Sequence, residues 1–298
     1  MDRKTDDTMI AEHRITIILI AALMCLQSGL YSGLAVASDT AGNIRPKKIV
    51  SLSPVITEAL YLLGLEESIT AVTIYCRKPA GAESKASIGT IVTPDIEKIV
   101  SLRPDVVMAM TLTDPREIEK LRKAGIHVIS FKIPRTFSEL CDVFLRLGRI
   151  CGKESEAKHL IDNSVKRVAS IKTKIGKAKK PSTLVQIGSS PLFVATRAFF
   201  LNDYVELAGG LNMFADLKSG TISFEQAVAG NPDVIIIAGM GISGESERRS
   251  WGRFRSISAV KNNRIYTVDA DKLCSPTPVT FADYLDDIAR MLHPEVFR

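Results

Sequence analysis

Short apolar runs alternate with helix-like segments along most of this chain, and no other feature limits the fold as much. From Lys47 onward, runs such as residues 48–52 and 105–110 predict strands, and a segment with helical periodicity follows each of them. Strands that alternate with helices are typical of parallel sheets covered by helices. A chain of 298 residues has room for two such sheets. We therefore expect an α/β fold.

One segment interrupts this alternation. Over residues 153–177 the apolar side chains recur at intervals of three and four, which predicts one long helix with a single apolar stripe. We expect this helix to link an N-terminal α/β lobe over 46–152 to a C-terminal α/β lobe over 181–298. The lysines and arginines that are dense over 166–180 are interpreted as the solvated face and tail of the helix.

An internal repeat supports the division into two lobes. Residues 95–107 align without a gap on residues 223–235, and glutamate, valine, proline and aspartate coincide at the same spacing. Each copy predicts a helix, a turn that contains proline, and a strand. Agreement at the same place in both halves indicates two lobes related by a pseudo-twofold.

The N-terminus has the pattern of an export signal. Basic residues precede an apolar run of about a dozen residues, which is short for a membrane span, and small residues follow. We expect residues 1–37 to be a signal peptide that is cleaved near Ala37, which places the mature protein in the periplasm. Lipid attachment at Cys25 is the less favoured alternative, and translation starts at either Met1 or Met9.

Composition excludes several classes of protein. The formal net charge is only +6 and the lysines and arginines are mostly scattered, so we expect no nucleic-acid partner. The four cysteines beyond the signal are too few for a disulfide scaffold, and the histidines lack metal-ligand spacing. A nucleophile elbow, a P-loop and a zinc-protease motif are all missing, which argues against a secreted enzyme.

Four groups of residues resemble a known family. They are residues 49–58, which include Ser53-Pro54, the two repeats that run from glutamate to Pro-Asp, residues 206–214 and residues 259–266. Together they resemble the periplasmic binding proteins of vitamin B12 and ferric-siderophore importers, from about Pro46 to the C-terminus. The resemblance implies two Rossmann-like lobes that are tied by one rigid helix and hold a ligand in the cleft between them.

The resemblance also implies a function. The protein would be an exported, monomeric binding protein that delivers a small metal chelate to the permease and ATPase of an ABC importer. It would have no intrinsic cofactor, and its cargo would be a cobalt or iron complex. Glu97 and Glu225 match the acidic residues that meet arginines of the two membrane subunits. Either glutamate alone is explained by its place in the first turn of a helix, but the matched pair favours docking.

Topology selects the candidate ligand-binding residues, because ligands in doubly wound lobes meet the carboxyl ends of the strands. Tyr75 and Phe193 fall where B12-binding relatives present aromatic surfaces, whereas Met110 falls where such a relative has tryptophan. This difference weakens the case for cobalamin, so corrinoids and ferric siderophores stand about equal. The complete candidate set comprises Pro54, Tyr75, Cys76, Arg77, Met110, Phe193, Met240 and Cys274.

Four arginines and two cysteines could contribute specific contacts to a bound metal chelate. Arg77, Arg197, Arg248 and Arg249 have the planar fork that suits an anionic ferric chelate. Cys76 and Cys274 each follow a strand, so we expect both thiols to face the cleft, where they would ligate a soft metal or close a disulfide between the lobes. The simpler interpretation is two unrelated small residues.

Three other functions stay open. In the first, the bound cargo is haem or another metal complex. In the second, the protein is a receptor domain that senses a ligand without transporting it. A secreted α/β enzyme is the least favoured.

Overall fold

The computed structural model describes residues 44–238, 244–270, 273 and 275–297. These residues divide into two units: a first lobe that runs to Ser164 and also includes Ser275–Val279, and a second lobe that begins at Val165. Each lobe contains one sheet of mostly parallel strands with helices around it, which confirms the predicted fold class. The predicted signal peptide lies outside the described residues. No helix within the described part of the chain is long and apolar enough to cross a membrane.

The sheet of the first lobe is parallel throughout. Its strand order is β3-β2-β1-β4-β5, so the chain begins near the middle and builds outward in both directions. The strands are β1 (Ile49–Ser51), β2 (Ile69–Val72), β3 (Ala86–Ser87), β4 (Val106–Met110) and β5 (Val128–Phe131). The α helices are α1 (Pro54–Leu62), α2 (Ile96–Leu102), α3 (Pro115–Lys123) and α4 (Phe137–Ile150).

One long helix, α5 (Glu154–Ile175), corresponds to the helix predicted over 153–177. The division between the two lobes falls inside it, between Ser164 and Val165. Its first turn packs closely on α4, since a Cβ atom added to Gly148 would lie 2.6 Å from the Cβ of Ala157. The lobe limits given above for the sequence remain a prediction.

The sheet of the second lobe has the order β10-β9-β6-β7, and β8 pairs with the start of β6. All pairs are parallel except β6 with β7. The strands are β6 (Ser182–Ser189), β7 (Leu192–Val194), β8 (Leu211–Asn212), β9 (Val234–Ala238) and β10 (Ile265–Val268). The helices are α6 (Leu201–Leu207), α7 (Phe224–Gly230), α8 (Gly244–Trp251), α9 (Ser258–Lys261) and α10 (Pro278–Leu292).

The internal repeat is a repeated piece of structure. Helix α2 and strand β4 form the first copy, and helix α7 and strand β9 form the second. Each helix has seven residues, begins after a residue whose side chain accepts a hydrogen bond from the third helical N–H, and ends at a residue with φ of 48°. Proline then prevents the helix from continuing.

The aspartate that follows each proline anchors the strand. Asp105 Oδ2 accepts hydrogen bonds from the backbone N–H groups of Lys47 and Lys48, at 2.7 and 2.9 Å. Asp233 Oδ2 accepts from the N–H and the hydroxyl of Ser182, both at 3.0 Å. Both aspartates therefore fix the start of a central strand against its parallel neighbour, which gives the shared Pro-Asp pair a structural role.

Candidate ligand-binding site

The parallel strands of the first lobe bring four of the candidate residues to one edge of its sheet. Pro54 follows β1 as the first residue of α1, Tyr75 and Arg77 follow β2, and Met110 is the last residue of β4. Because parallel strands all end on the same side of the sheet, the carboxyl edge is shared by these residues. Their role in ligand binding stays a prediction.

The candidates at this edge differ in what they present to solvent. Pro54 and Tyr75 are half-buried, Arg77 is exposed, and Met110 keeps only 5% of its surface. Burial raises the pKa of the Tyr75 hydroxyl, and the positive charge of Arg77 offsets part of that increase. Tyr75 and Arg77 therefore form an aromatic and cationic pair, whereas Met110 mainly packs inside the lobe.

Cys76 is placed differently from what the sequence predicted. Strand β2 ends at Val72, not at residue 75, and the following turn directs the Cys76 thiol into the lobe, where the residue is 2% exposed. Its Sγ lies 3.2 Å from the hydroxyl of Thr57 and 3.3 Å from that of Thr73. The Thr57 hydroxyl is in turn 2.9 Å from Ser51 Oγ.

This environment keeps the thiol protonated. Desolvation raises the pKa of Cys76, and its hydrogen bonds with Thr57 and Thr73 only partly oppose that effect. Metal ligation by cysteine requires the thiolate, so burial disfavours it here. Among the described residues, no group of three or more histidine, cysteine or acidic side chains is arranged to hold a metal ion.

The second lobe contributes an aromatic pair. The hairpin of β6 and β7 carries Phe193, whose ring meets that of Phe199 edge to face with centroids 5.8 Å apart. Both rings are half-buried. Sequence reasoning missed Phe199, because only the fold brings it to Phe193. The candidates Met240 and Cys274 lie outside the described residues, and so does the predicted pairing of Cys274 with Cys76.

Two of the four candidate arginines already have polar partners within the second lobe. Arg197 binds Glu206 at 3.1 Å and Asp216 at 3.0 Å. Arg248 donates a hydrogen bond of 3.0 Å to the side-chain oxygen of Asn263. Arg197 is thus paired with two carboxylates, whereas Arg248 keeps its charge and, among the described residues, most of its five donors free. Arg249 on α8 is also exposed. Arg77 is the exposed candidate that follows a strand.

A buried polar chain in the second lobe was also missed. The indole N–H of Trp251 donates to Gln186 Oε1 at 2.7 Å, and Gln186 Nε2 donates to Glu247 Oε2 at 2.8 Å. Trp251 is 0% exposed and packs with Phe224 and Phe254. Trp251 therefore belongs to the core of the second lobe. No local sequence signal links residues 61 to 65 positions apart in this way.

The two glutamates of the repeat occupy equivalent positions. Glu97 is the second residue of α2 and Glu225 is the second residue of α7, and both are exposed. The hydroxyl of Ser223 donates to Glu225 and lowers the pKa of its carboxyl group, with help from the backbone N–H of Glu225. Each lobe therefore displays one carboxylate at the start of the same helix.

These features define a binding protein with two related α/β lobes, and the chain belongs to the family of periplasmic binding proteins, whose model matches residues 49–272. The family is one of substrate-binding proteins and not of enzymes.

Named relatives give this family membership more detail. An ABC transporter substrate-binding lipoprotein of Bacillus subtilis is 28% identical over 262 residues, which cover 85% of this chain and 82% of the relative. The crystal structure of the periplasmic vitamin B12 binding protein of Vibrio cholerae matches with a TM-score of 0.73 and 26% identity, over 85% of this chain and 99% of that one. A possible iron-binding periplasmic protein of Staphylococcus epidermidis matches with a TM-score of 0.72 and 28% identity, over 82% and 99%.

Proposed function

We propose that this chain is the exported substrate-binding protein of an ABC importer and that it captures a metal chelate, either a corrinoid or a ferric siderophore. The observation that carries the proposal is the family match over 49–272. The mechanism has no chemical step. The protein binds its cargo at the carboxyl edges of its strands and then presents the complex to the permease and its ATPase.

The side chains at these edges offer two kinds of contact, aromatic surface for a macrocycle and positive charge for an anionic chelate. Tyr75 and the pair of Phe193 and Phe199 offer aromatic surface, and Arg77 offers a cation without a carboxylate partner among the described residues. Relatives named for vitamin B12 and for iron fit this chemistry. The buried Cys76 thiol does not enter it, so we assign the metal of the cargo to the chelate itself.

The matched glutamates support docking. A helix N-terminus explains why a carboxylate is stable at each position, but it does not explain why both lobes expose the same residue at the same helical position. We infer that Glu97 and Glu225 meet basic residues of the two permease subunits. Because the pKa of Glu225 is lowered, this carboxylate stays charged in mildly acidic surroundings.

Ligand-dependent thermal stability tests the cargo. Cobalamin, haem and a panel of ferric siderophores are titrated into the mature protein while its unfolding is followed by circular dichroism. A true ligand at 100 times its Kd stabilises the folded state by about 2.7 kcal/mol. Arg77→Gln should weaken an anionic siderophore far more than neutral cobalamin. A shift with haem alone supports the haem alternative, and no shift with any of them contradicts the cargo assignment.

Tryptophan fluorescence is a poor first readout for this test. Trp251 is buried in the aromatic core of the second lobe and donates its indole hydrogen bond to Gln186. We expect its emission to change through energy transfer to a coloured ligand, not through direct contact. Colourless analogues should therefore leave the emission almost unchanged even when they stabilise the protein.

Charge reversal tests docking. In membranes that contain the importer, Glu97→Arg and Glu225→Arg should each reduce ligand-stimulated ATP hydrolysis, and the double variant should abolish it. Glu119→Arg on α3 is the matched control, because it makes the same charge change at an exposed carboxylate outside the repeat. Ligand affinity should be unchanged in all four variants. Normal binding with no stimulation by the wild-type protein would instead favour the sensing receptor.

Export is the remaining element of the proposal. We infer a signal peptide over 1–37 and a periplasmic mature protein, and a relative named as a lipoprotein keeps lipid attachment as the alternative. The N-terminal residue of the protein recovered from the cell envelope decides between them. A start at Ser38 supports cleavage after Ala37, whereas a lipid-modified Cys25 supports an anchor.

A further inference from the structure

The end of α5 and the loop that follows it carry five lysines within nine positions, and no acidic residue interrupts them. Val168, Ile171 and Ile175 form the buried side of this part of the helix, so the lysines fall on its outer faces. All five are exposed. We call this group the amino-edge basic patch, because strand β6 of the second lobe begins immediately after it at Ser182. Its members are Lys172, Lys174, Lys177, Lys179 and Lys180.

Most of this charge is not neutralised by neighbouring side chains. In the part of the chain that the structure describes, no carboxylate forms an ion pair with any of the five lysines. Lys174 lies over the ring of Phe297 at 4.3 Å, a contact that keeps its charge. Acidic side chains of this region have other partners: Asp233 accepts from the N–H and the hydroxyl of Ser182 at 3.0 Å, and Asp286 binds Arg290 at 2.7 Å.

An exposed apolar side chain stands beside the lysines. Leu211 keeps 58% of its surface, more than any other large hydrophobic residue that the structure describes. Its backbone N–H donates to the carbonyl oxygen of Pro181 at 3.0 Å, which fixes it next to Lys180. Strand β8 pairs there with β6, so the position is set by the sheet and not by a loose loop.

From this combination we infer that the amino-edge basic patch is a second interaction surface, which binds bilayers that contain anionic phospholipid. Lysines at such a surface attract acidic headgroups, and a projecting leucine inserts among the lipids. A nucleic acid would instead favour aromatic side chains available for base stacking, and Phe297 is covered by Lys174 and Arg290.

The patch shares no residue with the proposed docking position of the same lobe. Glu225 is at the first turn of α7, whereas α7 ends next to the amino edge, where the Asp233 N–H donates to the Ser182 carbonyl oxygen at 2.9 Å. Because the patch and Glu225 lie toward opposite edges of the sheet of the second lobe, both cannot face the membrane at the same time. Binding to lipid would therefore confine the undocked protein to the membrane surface, and docking on the permease would require its release.

Vesicle co-sedimentation tests this inference with the mature protein. Vesicles of phosphatidylcholine are compared with vesicles that contain about one third phosphatidylglycerol. We expect binding only to the anionic vesicles, with strong weakening when salt shortens the Debye length from about 10 Å to about 3 Å. Each lysine near such a surface contributes a factor of about five, so Lys177→Gln, Lys179→Gln and Lys180→Gln together should reduce partitioning about a hundredfold.

A second triple variant controls for net charge. Lys120→Gln, Arg122→Gln and Lys123→Gln on α3 remove the same three charges from the first lobe and should change partitioning by less than about fivefold. Leu211→Ser should reduce it only several-fold. Equal losses in the two triple variants, or equal binding to both kinds of vesicle, would overturn the inference. Ligand-induced thermal stabilisation should persist in every variant, which separates this result from a failure of the proposed function.

Discussion

The two copies of the helix–turn–strand unit have the same backbone but different side-chain chemistry. Helices α2 and α7 have equal length and equal final φ angles. Asp95 caps the first and Ser223 the second, and only the second has the complete capping box, with Gln226. The backbone path is therefore maintained by alternative residues. Because the capping residues differ between the copies, the exposed glutamate that both copies share is better evidence for a common role than either capping residue.

The copies also differ in how firmly they are anchored. Asp105 is exposed and accepts two backbone hydrogen bonds, whereas Asp233 is part of a reciprocal pair in which the Ser182 hydroxyl also accepts from the Asp233 N–H at 3.0 Å. The second anchor is half-buried. The comparison indicates that equal topology does not mean equal local stability.

The largest expected effect concerns two helix ends, one in each lobe. Gly209 follows α6 with φ of 75°, and an added Cβ would lie 2.8 Å from Ile175 Cγ2 and 2.9 Å from His293 Nε2. Gly125 follows α3 with φ of 80°, and an added Cβ would meet nothing within 4 Å. Gly209→Ala should cost about 3 kcal/mol of unfolding free energy, because backbone strain adds to overpacking. Gly125→Ala should cost about 1 kcal/mol, from strain alone.

Urea unfolding of the two variants measures this difference directly. Equal losses would mean that backbone strain accounts for both effects and that the close packing around Gly209 relaxes freely. The Ala-Gly-Gly sequence at 208–210 is one of the motifs that carry the family resemblance, so the result also shows whether that motif has a purely structural origin.

The next effect compares the two anchors. Asp233→Ala should destabilise the protein by about 2 kcal/mol, because it leaves the Ser182 N–H and hydroxyl without their partner in a half-buried place. Asp105→Ala should cost about 1 kcal/mol, since water reaches the freed N–H groups of Lys47 and Lys48. Thermal unfolding at neutral pH ranks the two variants. The reverse order would contradict the inference that Asp233 anchors its strand more strongly than Asp105 does.

Much of the fold could be predicted from the sequence because its signals are local. The alternation of strands and helices, the long helix and the repeat all depend on residues close together in the chain. The errors lie where a cap or a turn decides the boundary. Thr93-Pro94 has the pattern of an N-cap followed by proline and so predicts a helix start. Helix α2 instead begins at Ile96, because the Asp95 side chain accepts from the Lys98 N–H at 3.0 Å.

The candidate site was less predictable, because topology selects segments but not the direction of a side chain. Tyr75, Cys76 and Arg77 are consecutive, yet the first is half-buried, the second is enclosed by hydroxyl groups, and the third is exposed. The contact of Phe193 with Phe199 depends on how the chain turns back after β7, which no periodic pattern predicts. Sequence reasoning therefore selects an edge of the sheet but not which atoms face it, and the ligand site at that edge stays a prediction.

A smaller effect concerns the residue that caps the C-terminus of each repeated helix. Arg103 and Asn231 both have φ of 48°, a conformation that glycine adopts without strain. Arg103→Gly should stabilise the protein by about 0.5 kcal/mol. Asn231→Gly should give no gain, because asparagine already tolerates this conformation and its Oδ1 accepts from the Ser258 N–H at 2.8 Å. Matching gains in chemical denaturation would show that the Asn231 hydrogen bond contributes nothing.

The smallest expected effect comes from the charge of Asp105, the aspartate that anchors the strand in the first copy. Hydrogen bonds from the backbone N–H groups of Lys48 and Lys47 lower the pKa of Asp105 in the folded protein. A lowered folded-state pKa stabilises the protein above the unfolded value of about 4, and this contribution is lost as the pH falls through the folded value. Asp105→Asn keeps an acceptor but removes the charge, so the Tm difference from wild type should be constant at neutral pH and shrink below about pH 4. Asp162→Asn, at an exposed carboxylate on α5, controls for the loss of one charge. A Tm difference that persists in strong acid would show that the amide of the variant distorts these hydrogen bonds. The charge of Asp105 would then not account for its stabilising effect.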